Sequence, residues 1–161
     1  NSVAQNVQLV QVMKKDQPVA TIETSWGGEV NVIATEDVSM LLWPGMTLQA
    51  EGLKITHLGD LGMVPDEALR HKLFMPDILL VPVGGTYTLD AHAAQQTVDA
   101  LQPRIVIPMH YRTEHGGLKE LSTLAPFLEA MAPARTSAQP LLRVTREDLS
   151  QQPRLVELQV R

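Results

Sequence analysis

The chain has 161 residues, 44% of them hydrophobic, and a formal net charge of −5 at pH 7. This length and composition suffice for one globular domain with a hydrophobic core, so we expect residues 1–161 to form a single domain. The charged residues are scattered rather than clustered, which argues against a nucleic-acid surface and against a membrane-binding segment. We therefore expect a small-molecule partner and a cytoplasmic protein.

The sequence contains no cysteine. Disulfides and thiolate metal sites are thereby excluded, and any metal would need histidine and carboxylate ligands. No apolar run approaches the roughly 18 residues that a membrane span requires, and no signal segment opens the chain. The first residue is Asn1 rather than methionine, from which we expect that a preceding segment was removed by processing or truncation.

The first sixty residues have the pattern of an antiparallel β meander. Apolar stretches there are separated by Gly27-Gly28 and Pro44-Gly45, as in strands joined by tight turns. The predicted strands are Val7–Met13, Val19–Trp26, Glu29–Ala34, Ser39–Trp43 and Leu53–Leu58.

From residue 61 onward, predicted helices alternate with continuously apolar strands. The segments DILLVPV and RIVIPM are apolar on both faces, as are central strands of a covered sheet. The predicted helices are Asp66–Leu73, Asp90–Leu101 and Leu118–Met131, the last broken or capped near Pro126. The further predicted strands are Asp77–Val83, Arg104–Met109, Leu141–Thr145 and Leu155–Val160. The whole sequence predicts a mixed α/β sheet protein.

Three of the predicted strands end in polar loops, which begin at Gly59-Asp60, at Gly84-Gly85 and at His110. Ligands gather beyond the carboxyl ends of strands in covered sheets, so we expect the three loops to share one rim. Gly59 lets the chain turn sharply and direct the Asp60 carboxylate into a crevice. Pro108 is expected to direct His110 in a similar way.

Each of these residues also has a structural interpretation. Asp60 fits an ordinary turn, His110 fits a satisfied core histidine, and Asp90 fits a helix cap. The Gly84-Gly85 backbone is expected to approach a bound anion closely. His57 alternates with Ile55, which leaves it facing either the core or the rim. The remaining histidines are explained as solvated residues on or near helices: His71, His92 and His115.

Three segments taken together resemble a known family. GLKITHLGDLG (52–62), DILLVPVGGTYTLDAHAA (77–94) and PRIVIPMHYRT (103–113) are similar, in order and spacing, to the C-terminal half of the metallo-β-lactamase-fold metal-dependent hydrolases. The likeness is greatest to the zinc-dependent hydrolase branch that includes the L-ascorbate-6-phosphate lactonase-like proteins. It implies an αββα sandwich that lacks the N-terminal portion carrying the main metal motif.

The resemblance also implies roles for individual residues. Asp60 corresponds to the carboxylate that bridges two metals, and His110 to the histidine that binds one of them. Around this pair, the substrate pocket would be shaped by Gly84, Gly85, Tyr87 and Thr88. The implied cofactor is one or two zinc ions, with manganese or iron as alternatives. Such metals lower the pKa of bound water toward ~7, so the implied reaction is hydrolysis of a small-molecule ester, lactone, amide or phosphoester.

The family's His-x-His-x-Asp-His signature is absent, because no histidine precedes His57. Two ligands are fewer than the roughly three protein ligands that a catalytic zinc requires. His57 or His115 would be an additional ligand, although no spacing argument supports either one.

Two interpretations account for this departure. In the first, the chain is the later part of a longer hydrolase; its opening residues NSVAQNVQLV resemble the segment directly after Asp-His in the family and favour this interpretation. In the second, the protein is a metal-free relative that serves as a non-catalytic ligand-binding or scaffold module. A weaker third interpretation is a phosphate-binding domain using Gly84-Gly85, although the sequence lacks a G-x-G-x-x-G or P-loop pattern. Missing upstream strands would leave an apolar sheet edge, which predicts a homo-oligomer.

Overall fold

A computed structural model of the chain describes residues 7–25, 29–35, 38–42, 45–114 and 118–160. The described strands are β1 (Val7–Lys14), β2 (Gln17–Ser25), β3 (Val30–Ala34), β4 (Ser39–Leu41), β5 (Met46–Ala50), β6 (Leu53–His57), β7 (Ile78–Pro82), β8 (Ile105–Met109), β9 (Thr136–Gln139), β10 (Leu142–Val144) and β11 (Leu155–Leu158). The described helices are α1 (Glu67–Leu73), α2 (Ala91–Leu101), α3 (Ala125–Met131) and a 3₁₀ helix, Arg146–Gln151. None of them is long and apolar enough to cross a membrane.

The first sheet has four strands in the order β10-β1-β2-β3. β1 pairs antiparallel with β2, and β2 with β3, while β10 joins β1 in parallel. The predicted meander is thus confirmed for β1 to β3. The later strands are antiparallel neighbours as well, since β4 pairs with β5 and β5 with β6, but they belong to the second sheet. Trp26, Gly27-Gly28 and Trp43-Pro44, part of the predicted strand ends and turns, lie outside the described residues, as does His115.

The second sheet has seven strands in the order β4-β5-β6-β7-β8-β11-β9. β7 and β8 lie at its centre and every residue of both is buried, which confirms the prediction drawn from their apolar sequences. Two strands were missed. β5 pairs antiparallel with β6, and β9 is the edge strand beside β11. The polar sequence of β9, Thr-Ser-Ala-Gln, carries little strand signal, since an edge strand has no second buried face.

Two hydrophobic cores lie on opposite faces of the seven-stranded sheet. Alternate residues separate them: Ile78 and Leu80 face the four-stranded sheet, whereas Leu79 and Val81 face the helices. All three α-helices contribute their buried hydrophobic residues to the second core. The layers formed by the described residues are therefore sheet, sheet and helix, and the mixed α/β layered class is confirmed.

The helix starts follow from capping. The Asp66 and Asp90 carboxylates accept hydrogen bonds from the backbone N–H groups of Leu69 and Ala93, at 2.9 and 2.8 Å. The predicted helix Leu118–Met131 is too long, because the structure starts α3 at Ala125. Pro126 then lies in the first turn, where its missing N–H costs no hydrogen bond.

Candidate metal and ligand site

Three loops meet at one edge of the seven-stranded sheet, as the sequence predicted. β6, β7 and β8 are parallel neighbours, so their carboxyl ends lie side by side. The Leu89 N–H donates to the Leu61 carbonyl at 3.0 Å, joining the loop after β7 to the loop after β6. The Val83 N–H donates to the Met109 carbonyl at 3.1 Å, which ties the end of β7 to the end of β8.

Asp60 and His110 line the same cleft at this edge. The cleft is small, with room for roughly one water molecule. Its other lining residues come from β2, from the end of β6 and from the end of β8: Thr24, Ser25, His57, Gly59 and Met109. The convergence of an acid and an imidazole from distant parts of the sequence is therefore present in the structure.

Asp60 is solvent-exposed and follows Gly59, whose φ of +63° lies in the left-handed region. Glycine adopts this conformation without the steric cost that a Cβ would impose. The turn ends β6 and carries the Asp60 carboxylate to the cleft, as expected from the Gly-Asp pair.

His110 has a left-handed backbone, with φ of +57°. Such a conformation is uncommon for a residue with a Cβ and is found where the surrounding structure holds the backbone in place. Its Nε2 atom is buried and has no hydrogen-bond partner among the described residues. The expectation of a satisfied core histidine therefore does not hold for this nitrogen.

Gly84 holds the loop after β7 against the backbone of His110. A Cβ placed on Gly84 would lie 2.1 Å from the His110 carbonyl oxygen and 3.1 Å from the Leu121 side chain. The loop then closes on itself, since the Gly85 N–H donates to the Leu89 carbonyl at 2.9 Å. The Gly85 N–H thus donates within its own loop, and the approach of the Gly84-Gly85 backbone to an anion stays a prediction.

The four residues expected to shape the substrate pocket lie near the cleft but not in its lining. Gly84 is buried behind His110, and the Thr88 hydroxyl donates to the Gly85 carbonyl at 3.2 Å. Tyr87 is 76% exposed and its carbonyl oxygen faces Gly62, two residues after Asp60. Substrate binding by Gly84, Gly85, Tyr87 and Thr88 stays a prediction.

His57 faces the space between the two sheets and is only 2% exposed. His57 is two residues after Ile55 on β6, so both side chains point to the same face of the strand. Ile55 packs in the core between the sheets. Its Nδ1 accepts a hydrogen bond from the Gly59 N–H at 3.0 Å. Burial lowers the pKa of His57 from 6.5 to about 4, against the opposing effects of the Asp60 carboxylate and a backbone hydrogen bond. At neutral pH this imidazole is therefore uncharged.

Thr24 is a lining residue that sequence reasoning missed, because its strand belongs to the other sheet.

Four buried side-chain polar atoms lack a partner in the part of the chain that the structure describes, and three of them line this cleft: Thr24 Oγ1, His57 Nε2 and His110 Nε2. An unsatisfied buried polar group costs about 1–3 kcal/mol. Their concentration in one place indicates a site where a polar ligand, a metal or water completes their interactions.

The donor types at this site suit zinc, but their number does not. Imidazole nitrogen and carboxylate oxygen are ordinary zinc ligands. Within the described ranges, however, no group of three or more His, Cys, Asp or Glu side chains has an arrangement that would hold a metal ion. Asp60 and His110 alone do not make a complete catalytic zinc site.

Comparisons with known proteins agree with this arrangement. Residues 34–110, a range that contains Asp60 and ends at His110, match the sequence model of the Beta-lactamase superfamily domain. The chain is 32% identical over 110 residues to a "UPF0173 metal-dependent hydrolase" of Staphylothermus marinus, a match covering 62% of this chain and 47% of that protein. It is 41% identical over 69 residues to a similarly named protein of Hyperthermus butylicus, covering 43% of this chain and 30% of that one.

A solved structure is similar over most of the chain. It belongs to a Thermotoga maritima protein described as a zinc-dependent hydrolase of the metallo-β-lactamase superfamily, with a TM-score of 0.61 and 29% identity. The match covers 76% of this chain and 65% of that one. The chain thus spans half or less of the curated relatives named above. Residues 34–110 thus match the β-lactamase superfamily domain, and the chain has the metallo-β-lactamase fold.

Proposed function

We propose that this chain belongs to a metal-dependent hydrolase, with zinc as its metal and a small-molecule ester, lactone, amide or phosphoester as its substrate. The observation that supports this most directly is the cleft shared by Asp60 and His110. The likeness to proteins named as metal-dependent hydrolases supports the same activity.

The proposed roles follow from the positions of the two side chains. The exposed Asp60 carboxylate leaves its oxygens open to a metal. His110 lies at the end of a buried central strand, with its Nε2 lacking a protein partner among the described residues. Because a catalytic zinc takes about three protein ligands, the proposed site requires at least one ligand beyond this pair.

A second candidate function is a metal-free module that binds a small ligand. The buried atoms Thr24 Oγ1 and His57 Nε2, which have no partner among the described residues, favour it, because these two residues line the cleft and are able to bind a polar molecule without any metal. Metal binding separates the two candidates.

Removal of either proposed ligand is expected to weaken zinc binding. Asp60→Ala and His110→Ala should each lower the zinc affinity by about tenfold or more, since even substitutions outside the ligand set commonly cost 10- to 100-fold. Isothermal titration of the metal-free chain with ZnCl₂, together with elemental analysis after dialysis, measures this. Asp16→Ala and His92→Ala remove exposed residues of the same types away from the cleft and should leave the affinity unchanged. Zinc binding that is absent in the parent chain, or equal in all variants, would favour the metal-free module.

We propose in addition that the chain forms homo-oligomers through the edge strand β4. β4 ends the seven-stranded sheet, and its side chains Met40 and Leu41 are exposed, as is Leu42 beside it. An edge with free backbone groups and apolar side chains readily pairs with another strand. Light scattering on a sizing column should show a dimer or larger species, shifted toward monomer by Leu41→Lys. A parent chain that is monomeric at about 100 μM would contradict the proposal.

A further inference from the structure

The proposed metal ligands leave two buried polar groups of the cleft without a role. These are the imidazole of His57 on β6 and the hydroxyl of Thr24 on β2, both only 2% exposed. They come from different sheets and line the same cleft as Asp60. His57 Nε2 and Thr24 Oγ1 both lack a partner among the described residues.

The hydrogen bond from Gly59 determines which nitrogen of His57 carries the proton. A ring nitrogen that accepts a hydrogen bond has no proton of its own, and in a neutral imidazole the other nitrogen then carries it. His57 Nδ1 accepts from the Gly59 N–H at 3.0 Å. Its low pKa, caused by burial, keeps the ring neutral at pH 7. Nε2 is therefore an N–H donor, and its lone pair is not free to bind a metal.

We propose that His57 and Thr24 form an oxygen-binding subsite beside Asp60 and His110, and that His57 is not a metal ligand. In this subsite the His57 Nε2–H donates to a carbonyl or hydroxyl oxygen of the ligand, and the Thr24 hydroxyl binds the same part of the molecule. This deepens the proposed function, on which it rests, by naming the residues that position the substrate. His57 and Thr24 are positioning residues in that reaction.

The charge at the cleft favours a neutral oxygen over an anionic one. Neutral His57 and the Thr24 hydroxyl bring no positive charge, while the Asp60 carboxylate faces the same space. Two like charges at close range repel each other, and more strongly near a protein than in water. In the metal-free chain, a carbonyl compound is therefore expected to bind at this subsite better than a carboxylate of the same size.

The tautomer of His57 is measured directly on the unmodified chain by long-range ¹H–¹⁵N NMR at pH 7. We expect a protonated Nε2 and an unprotonated Nδ1, both unchanged by added ZnCl₂, whereas the His110 signals shift. A protonated Nδ1, or zinc-induced shifts at His57 as large as those at His110, would overturn the subsite. The expected tautomer without any zinc response at His110 would support the subsite and overturn the proposed metal site instead.

Ligand binding is tested with acetamide as a neutral carbonyl probe and acetate as its charged counterpart, followed by the shift of the His57 Nε2–H proton. Acetamide should shift this proton more than acetate does at equal concentration.

Thr24→Val and His57→Asn should each weaken acetamide binding by about threefold to tenfold, followed at the Gly59 amide. The Asn side chain still accepts from Gly59 but lacks the distal donor. Thr35→Val, on the surface away from the cleft, serves as the control. If acetamide does not shift the His57 Nε2–H proton, or if acetate shifts it more than acetamide does, the subsite would be overturned.

Discussion

Replacing Gly84 with alanine is expected to destabilise the fold by about 3 kcal/mol or more, which is at the upper end of single-residue effects. The added Cβ would lie 2.1 Å from the backbone carbonyl oxygen of His110. Relief of this clash requires a movement of the loop after β7 or of the end of β8. Such a movement is costly because β7 and β8 are buried central strands. Movement of β8 would displace the His110 imidazole and weaken the proposed zinc binding as well.

Urea unfolding followed by circular dichroism measures this loss of stability. Gly62→Ala is the matched control, because a Cβ on Gly62 would meet only the Tyr87 carbonyl oxygen, at an ordinary 3.7 Å. Its free energy of unfolding should change by less than about 1 kcal/mol. Equal stabilities of the two variants would show that the approach of Gly84 to His110 is not as close as the structure indicates.

The stability of the fold should decrease by about 2 kcal/mol between pH 7 and pH 4.5 because of His57 alone. Burial lowers the pKa of His57 to about 4 in the folded state, compared with 6.5 for an unperturbed histidine. Between these two values the unfolded chain binds a proton that the folded chain does not. The contribution of His57 is therefore fully present above pH 6.5 and is lost as the pH falls toward 4.

Denaturant unfolding of the parent chain and of His57→Gln at several pH values isolates this effect. Glutamine keeps an N–H donor but does not titrate, so the variant should lack the part of the pH dependence that His57 causes. His92→Gln, which removes an exposed histidine of α2, should follow the parent chain. Identical pH profiles of the parent chain and His57→Gln would mean that His57 protonates equally in both states.

Local sequence signals predicted most of the fold. The apolar sequences of β7 and β8 identified the central strands, since buried parallel strands are apolar on both faces. Two helices were predicted to begin at Asp66 and Asp90, and Asp90 was interpreted as a cap; in the structure both carboxylates cap their helices. The Gly59-Asp60 pair and the end of β8 pointed to one edge of one sheet, where the structure brings Asp60 and His110 to a single cleft.

The errors arose where sequence-distant partners decide the outcome. β5 was missed because its pairing with β6 adds a strand where the sequence indicated only a connection. Leu118–Met131 was predicted as one helix, yet in the structure its first part is not helical. Thr123 in this part instead forms a β-bridge with Arg112. The meander predicted for the first sixty residues is divided between two sheets, because alternation shows that a strand has two faces, but not which sheet it joins.

The sequence by itself determined the central strands and the cap at Asp90, because these depend on residues close together in the chain. Asp60 and His110 were identified through the resemblance, and their role as metal ligands stays a prediction. Only the tertiary structure decided the inward direction of His57, the entry of Thr24 from the opposite sheet and the contact of Gly84 with His110. These three depend on how the two sheets stack and how neighbouring strands are aligned. That alignment is set by contacts between residues far apart in sequence, which no local pattern records.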